Sequence, residues 1–451
     1  MSDAGPGLPV SAFRTRLALA VYGALWILAI PLAMLYLLWR SRRQPAYRRH
    51  WAERFGRPSS ADSALVSPDG HELPLIWIHA VSVGETRAAQ PVIEGLLARY
   101  PGHQLLLTHM TPTGRETGYE LFVERYSPRV SQAYLPYDLP WFMNRFLAHH
   151  KPVLGLIMET ELWPCLVAAA AARKLPLVIL NARLSEKSLA KGNRFRSLLA
   201  PAMGGLSLVL AQTREDAARM RQLGPVSCEV VGNLKFDVQP NPALLQLGAS
   251  WRKRLARPVI VLASSREGEE AAVLQAWCEQ QAGLSRPIVL AIVPRHPQRF
   301  ADVRALMQQT DLPMTDRAAF DQPALSAESA VSLLLGDSMG EMPAWYALAD
   351  VVIMGGSLLD SGGQNLIEPC ACGAPVVIGR STFNFELAAS QALEAGAARR
   401  VNDAQEAVRL ALSLVDKPTE LRAMAAGAHS FANAHRGATD ATLERLALYL
   451  P

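Results

Sequence analysis

Residues 75–87 read LIWIHAVSVGETR. The run Leu75–Val83 is apolar enough for a strand buried on both faces. Gly84 permits a tight turn, and an amphipathic pattern follows over Arg87–Tyr100. A strand that turns directly into a helix is the repeating unit of a parallel sheet, because parallel strands need a crossover. The alternation continues with strands at Gln104–His109, Val130–Leu135, Val153–Met158, Leu177–Asn181 and Leu206–Ala211, and a helix at Leu162–Lys174. Between Val238 and Arg257 a Pro- and Asn-bearing stretch with a basic helix interrupts it. A second series then runs through Val259–Ala263, Pro287–Val293, Val331–Gly336, Asp350–Met354 and Pro375–Ile378. The fold class is therefore α/β: two doubly wound, Rossmann-like domains facing across a cleft, with a boundary near residue 240. Ligands of such sheets sit beyond the carboxyl ends of the strands.

Ahead of these domains, Leu17–Trp39 carries no charged residue and is long enough to cross a hydrocarbon core of about 30 Å. A buried core helix is the bland alternative, and because Pro31 breaks the middle, a helix lying in the membrane interface is a third option. Tyr36 and Trp39 suit an interface, and Arg40, Arg42, Arg43, Arg48, Arg49, Arg54 and Arg57 follow. An Arg excess marks the cytoplasmic side and attracts anionic head groups. The expected organisation is an anchor with its basic flank at 1–57 and domains at 58–240 and 241–451, the stretch 58–72 being a linker rich in Ser, Pro, Asp and Gly.

Half of the 451 residues are hydrophobic and 19% are charged, which excludes wholesale disorder. A net charge of +5 is too small to argue for nucleic acid. Five scattered cysteines make no disulfide framework, and Cys370 and Cys372 lack zinc spacing. With no ligand cluster for a divalent ion, neither a metal nor a cofactor is expected.

The candidate chemistry lies at strand ends. Glu85 stands where a strand becomes a helix: it can take a proton from a hydroxyl or simply complement the helix N-terminus. Glu159 and Glu161 follow another strand, and paired acids can take different protonation roles. Arg183 and Lys235 can balance negative charge or be solvated surface cations. In the second half, Pro294-Arg295 offers a guanidinium fork suited to phosphate. Gly336–Glu341, with Met339 and Gly340, can cup a phosphate or ribose through backbone N–H groups. Gly355-Gly356-Ser357 and Gly362-Gly363 permit close backbone approach. Asn365 can cap the following helix, and Glu368 is placed to hold a ribose hydroxyl pair. There is no Walker motif, and each segment alone is weak; together they suggest a nucleotide site in the second half.

Taken in order, HAVSVGET (from His79), THMTPTGRETG (Thr108), YLPYDLP (Tyr134), METELWP (Met158), NARLS (Asn181), GNLKFD (Gly232), VPRHPQRF (Val293), GDSMGEM (Gly336), GGQNLIEP (Gly362) and FNF (Phe383) resemble the 3-deoxy-D-manno-octulosonic acid (Kdo) transferases of lipid A biosynthesis. The resemblance runs from the N-terminal anchor to about residue 390. It implies a GT-B fold with acceptor in the first domain and donor in the second, and inverting transfer of Kdo from CMP-Kdo to a lipid A precursor (tetraacyldisaccharide 4'-phosphate). It also implies an inner-membrane enzyme with a cytoplasmic body. By the same resemblance Glu85 is the general base, and Glu159 and Lys235 stabilise the transition state. Pro294, Arg295, Met339, Gly340, Glu341, Asn365, Leu366, Ile367 and Glu368 contact CMP. Three departures stand out: Cys165 for a common Asn, Gln364 for a common His, and Leu366-Ile367 for a common Pro-Leu. A nucleotide-sugar epimerase shares the architecture but needs no anchor, and a non-enzymatic scaffold would not need the acids at Glu85 and Glu159.

Overall fold

The structure, a computed structural model, describes residues 12–42, 44–57, 72–281, 283–284, 286–321 and 330–450. The expected linker, save Glu72, and Arg43 lie outside the described residues. The chain forms two compact units: residues up to Val238 together with Arg436–Pro451, and Gln239–His435.

The first unit is built on seven parallel strands: β1 (Leu75–His79), β2 (Gln104–His109), β3 (Val130–Tyr134), β4 (Leu154–Met158), β5 (Leu177–Ala182), β6 (Leu208–Ala211) and β7 (Cys228–Val230). Their order is β3-β2-β1-β4-β5-β6-β7. The chain winds outward from β1 and returns to β4, so the switch point lies between β1 and β4. Side chains alternate between faces. Trp77, Leu106, Ile157 and Ile179 fill one core layer, while Ile76, Ile78, Leu105, Leu107, Leu156 and Val178 fill the other. Gly155 on β4 makes room for Trp77: a Cβ there would come within 2.9 Å of the indole and 2.4 Å of Leu177.

The second unit repeats the plan with β8 (Val259–Ser265), β9 (Val289–Pro294), β10 (Met314–Asp316), β11 (Leu333–Leu335), β12 (Val351–Met354), β13 (Val376–Ile378) and β14 (Ala398–Arg400). The order is β10-β11-β9-β8-β12-β13-β14, with the switch point between β8 and β12.

Three strands had no counterpart in the sequence reading: β7, β10 and β14. All are three-residue edge strands of mixed composition (Cys-Glu-Val, Met-Thr-Asp, Ala-Arg-Arg). An edge strand pairs on one side only and needs no apolar run.

Two further parts of the chain differ from the expected division. The last segment, expected in the 241–451 domain, belongs to the first unit. Its helix Ala438–Leu446 packs on helix Val83–Arg99, where Leu443 occupies the space a side chain at Gly95 would need. Leu443, Leu446 and Leu450 are buried in the first unit's core. Asp237 caps the helix by accepting from the N–H groups of Gly437 (2.8 Å) and Thr439 (2.5 Å). At the other end, the basic flank is fastened to the sheet edge. Buried Glu53 accepts from Arg115 (2.6 Å) and from the Tyr134 N–H (2.8 Å). Arg54, expected among the lipid-facing arginines, is buried, sits 3.9 Å from the Tyr134 ring centroid and donates to Met110 O (3.1 Å).

The N-terminal helix Ala12–Arg40 has 29 residues, enough to span a bilayer by length and composition. Tyr22, Gly23, Trp26 and Ile30 form its less exposed stripe. Trp26 lies 5.7 Å from Tyr137, and Tyr22 hydrogen-bonds Asp138. Leu17, Val21, Leu25, Leu28, Leu32 and Leu35 remain exposed.

Candidate active site

Glu85 enters through a local motif. Ser82 is the N-cap of helix Val83–Arg99, its hydroxyl accepting from the Glu85 N–H (3.4 Å). The Glu85 carboxylate reaches back, accepting from the Val81 N–H (2.8 Å) and the Ser82 hydroxyl (3.0 Å). Of the two alternatives left open by the sequence, these contacts show the capping one: the side chain closes the first turn of the helix. Burial pushes its pKa up to about 7, against the pull of the Val81 N–H, and the nearby negative charges of Glu159 and Glu161 push the same way. A carboxyl that titrates near neutrality is suited to general base chemistry.

Glu159 follows β4 with φ 58°, a left-handed backbone that turns the chain at the carboxyl end of this central strand. Lys235 Nζ donates to one carboxylate oxygen at 2.7 Å, and Arg183 Nε lies 3.4 Å from the other. Burial opposes ionisation, but Lys235 and Arg183 outweigh it and hold the pKa below the ordinary carboxylate range. Two neighbouring carboxyls are thus driven in opposite directions, a division that marks acid–base assignments. Glu161 is also pushed upward by burial and accepts from Trp163 Nε1 (3.0 Å).

Lys235 is held in place by its turn. Fully buried Asn181, at φ 54°, accepts the Leu234 N–H at 3.0 Å, and Asn233 accepts the Lys235 N–H at 3.0 Å. The sequence reading quoted Asn181 without giving it this role. Its one signal was position: a polar residue closing an apolar strand. Asp138 was missed for the same reason. Fully buried, it accepts from the N–H groups of Cys165 (3.0 Å) and Leu166 (2.9 Å) at the start of helix Pro164–Ala172. The Cys165 thiol is buried and pushed up to about 12 by desolvation, so this departure alters packing and adds no reactive thiolate.

In the second unit, Pro294 closes β9 and Arg295 is exposed, its N–H donating to Ser265 O at 3.1 Å. Beyond β11, Met339 is exposed and Gly340 is left-handed. Glu341 is engaged rather than free, accepting from Arg317 (2.7 and 2.8 Å) and the Ser338 hydroxyl (2.5 Å). Asn365 accepts from the Ile367 N–H (3.2 Å) and donates to Glu368 (3.2 Å). Leu366 and Ile367 are buried, leaving only their backbone for a ligand. The glycine loops are tied together at the switch point: the Gly363 N–H donates to Gly356 O (2.7 Å). Buried Glu269 accepts from the N–H groups of Arg266 (2.9 Å), Gly356 (2.7 Å) and Leu358 (3.0 Å). Among the described residues no group of three or more His, Cys, Asp or Glu side chains is placed to hold a metal.

The family model described as 3-deoxy-D-manno-octulosonic-acid transferase (kdotransferase) matches residues 49–238, which hold Glu85, Glu159 and Lys235. A 3-deoxy-D-manno-octulosonic acid transferase of Bordetella pertussis is 45% identical over 426 residues, covering 92% of this chain and 96% of its own. One from Haemophilus influenzae is 33% identical over 436 residues, covering 95% and 98%. Among solved structures, a UDP-GlcNAc 2-epimerase from Neisseria meningitidis aligns over 83% of this chain and 100% of its own, with a TM-score of 0.56 and 14% identity. At that identity the likeness shows the fold alone, the GT-B architecture of two doubly wound units.

Proposed function

The chain belongs to the family of 3-deoxy-D-manno-octulosonic acid transferases, which are glycosyltransferases, and from that premise we propose that it moves Kdo from CMP-Kdo to a lipid A precursor with inversion. What supports the reading is family membership over nearly the whole chain together with the placing of Glu85 and the Lys235–Glu159 pair (2.7 Å) after the two strands that flank the switch point of the first unit.

A hydroxyl on the sugar head of the lipid attacks the anomeric carbon of Kdo, and Glu85 takes its proton. The bond from that carbon to the phosphate oxygen breaks on the opposite face, and CMP leaves with the electron pair. The sugar passes through an oxocarbenium-like state. Lys235, already oriented by Glu159 at 2.7 Å, offsets negative charge on the sugar carboxylate or leaving group. Arg295, exposed and permanently charged, meets the phosphate. Met339, Gly340, Glu341 and the 365–368 turn hold the nucleotide, the last with Asn365 and Glu368 side chains and the Leu366 and Ile367 backbone. No metal or cofactor enters this scheme.

The lipid acceptor accounts for the apolar helix. It is docked at its middle by Tyr22 and Trp26, which supports a helix lying in the interface with its leucine face toward lipid. The flanking arginines favour the cytoplasmic face of the inner membrane.

The test is mass spectrometry of lipid products made by the purified chain from CMP-Kdo and tetraacyldisaccharide 4'-phosphate. A lipid heavier by Kdo is expected, with none from Glu85→Ala although CMP still binds. Full turnover by that variant would remove Glu85 from the mechanism. Release of free epimerised sugar without lipid would refute the transferase reading.

A further inference from the structure

Next to the anchor is a cavity that the transfer reaction does not use. It is open, about 300 Å³, and lined by Ala52, Phe55, Arg57, Phe142 and Arg145. Both arginines are exposed, and among the described residues neither makes an ion pair. Among the described residues no acid lines the cavity. The nearest acid in sequence, Glu53, is already saturated by Arg115 and the Tyr134 N–H. Two guanidinium groups lining one cavity with an apolar wall favour an anion there.

The wall indicates where that anion comes from. Phe55 and Phe142 meet edge to face at 5.6 Å. Phe55 lies 5.8 Å from Tyr137, and Tyr137 lies 5.7 Å from Trp26 of the apolar helix. This ring series joins the cavity to the helix whose other side exposes leucines. Trp141, 53% exposed, stands beside Phe142 at 5.6 Å, and amphipathic rings settle at head-group depth. Arginine recognises phosphate, and phosphate borne on an acyl-chain lipid lies at that depth.

We propose that Arg57 and Arg145 form a binding site for the phosphate of an anionic bilayer phospholipid, with Phe55 and Phe142 as its apolar wall. The site orients the first unit on the membrane and is separate from the acceptor's reacting sugar. The inference rests on the reading of the N-terminal helix as a membrane anchor.

The experiment uses the full chain with phosphatidylcholine vesicles that contain or lack phosphatidylglycerol. Variants are Arg57→Gln, Arg145→Gln, the pair, and Arg214→Gln as a control for loss of charge at an exposed site on another helix. Turnover on detergent-dispersed acceptor is measured alongside and tests the transferase reading by itself. Each cavity substitution should weaken binding to the anionic vesicles about five-fold, and the pair about 30-fold. Binding to neutral vesicles and turnover in detergent should not change. Equal losses from Arg214→Gln, or unchanged binding by the pair, would overturn the site. A raised KM for detergent-dispersed acceptor would reassign the cavity to the acceptor's own phosphate and overturn the proposal. Inorganic phosphate displacing vesicles better than chloride at equal ionic strength would show a free-phosphate site and do the same.

Discussion

Replacing Glu85 with Gln should abolish transfer and, at the same time, stabilise the first unit above neutral pH. The ordinary pKa of the group is 4.5 and its value in the fold is about 7. At about 1.4 kcal/mol per pKa unit, that gap is worth about 3 kcal/mol. The sign follows from which state holds the proton. A raised pKa means that the fold favours the neutral acid, so this stabilisation is complete below pH 4.5 and is lost as pH rises through about 7. Gln imitates the neutral acid at every pH, and its amide oxygen can still accept the Val81 N–H. Denaturant unfolding of the two proteins should therefore nearly coincide at about pH 4.5. By about pH 8 the variant should be ahead by up to about 3 kcal/mol. Taking the difference between two nearly identical chains cancels the titrations not coupled to Glu85, leaving its own and the smaller effects of its neighbours Glu159 and Glu161. On the activity side, loss of a general base costs about 10²–10⁴-fold. The wild-type rate should fall about tenfold per pH unit below 7. Had burial not set the titration of Glu85, the stability difference would be flat with pH. A flat difference, or a wild-type rate unchanged between about pH 5 and 8, would refute the reasoning.

Three other outcomes are expected. Lys235→Met removes the 2.7 Å bond to Glu159, so neutral-pH stability should drop by about 1–3 kcal/mol. Because the depressed pKa of Glu159 stabilises the fold only while the group is ionised, the gap between variant and wild type should close on acidification in urea titrations. Asp237→Ala uncaps helix Ala438–Leu446 and should cost about 1 kcal/mol, read as faster amide exchange in that helix with the Gln239–His435 unit unaffected. Glu269→Gln puts an amide where three backbone N–H groups need an acceptor, so CMP affinity measured by calorimetry should fall about tenfold. Wild-type affinity would sever the Gly356 loop from donor binding.

Much of this architecture is legible in the sequence because buried parallel strands leave continuous apolar runs. Leu75–His79 and Val259–Ser265 are such runs, and each begins the series that defines its unit. Glu85 is legible for a related reason: Ser82, Gly84 and Glu85 stand together at one chain reversal. What stays hidden depends on contacts between distant segments. That the pKa of Glu85 is raised by burial while that of Glu159 is lowered depends on Lys235 and Arg183 reaching Glu159, contacts made across distant parts of the chain. The return of Leu443, Leu446 and Leu450 to the first unit leaves no mark in a pattern that fits any helix. Arg54 reads like its neighbours in the basic run, yet its place is against Tyr134. Glu341 reads as a nucleotide contact, and nothing in the local sequence shows that its carboxylate is also paired with Arg317 from a distant segment.

The apolar helix is more than a tether, and Asp138 is the reason. This carboxylate is fully buried, and burial raises its pKa to about 6. It remains tolerable because three donors converge on it: the N–H groups of Cys165 and Leu166, and the hydroxyl of Tyr22. The two N–H groups open helix Pro164–Ala172, which directly follows Glu159, Glu161 and Trp163. Tyr22 lies in the apolar helix. A hydrogen bond to a charged group contributes about 1.5–3 kcal/mol, and a buried charge left short of donors costs at least as much. The seating of the apolar helix and the position of the acidic segment are therefore coupled through one side chain. On the proposed membrane reading, a bilayer holding the exposed leucines of the helix would also hold Tyr22 near Asp138. Under the proposed membrane reading, attachment would both bring the body to its lipid and complete the donor set next to the turn carrying Glu159.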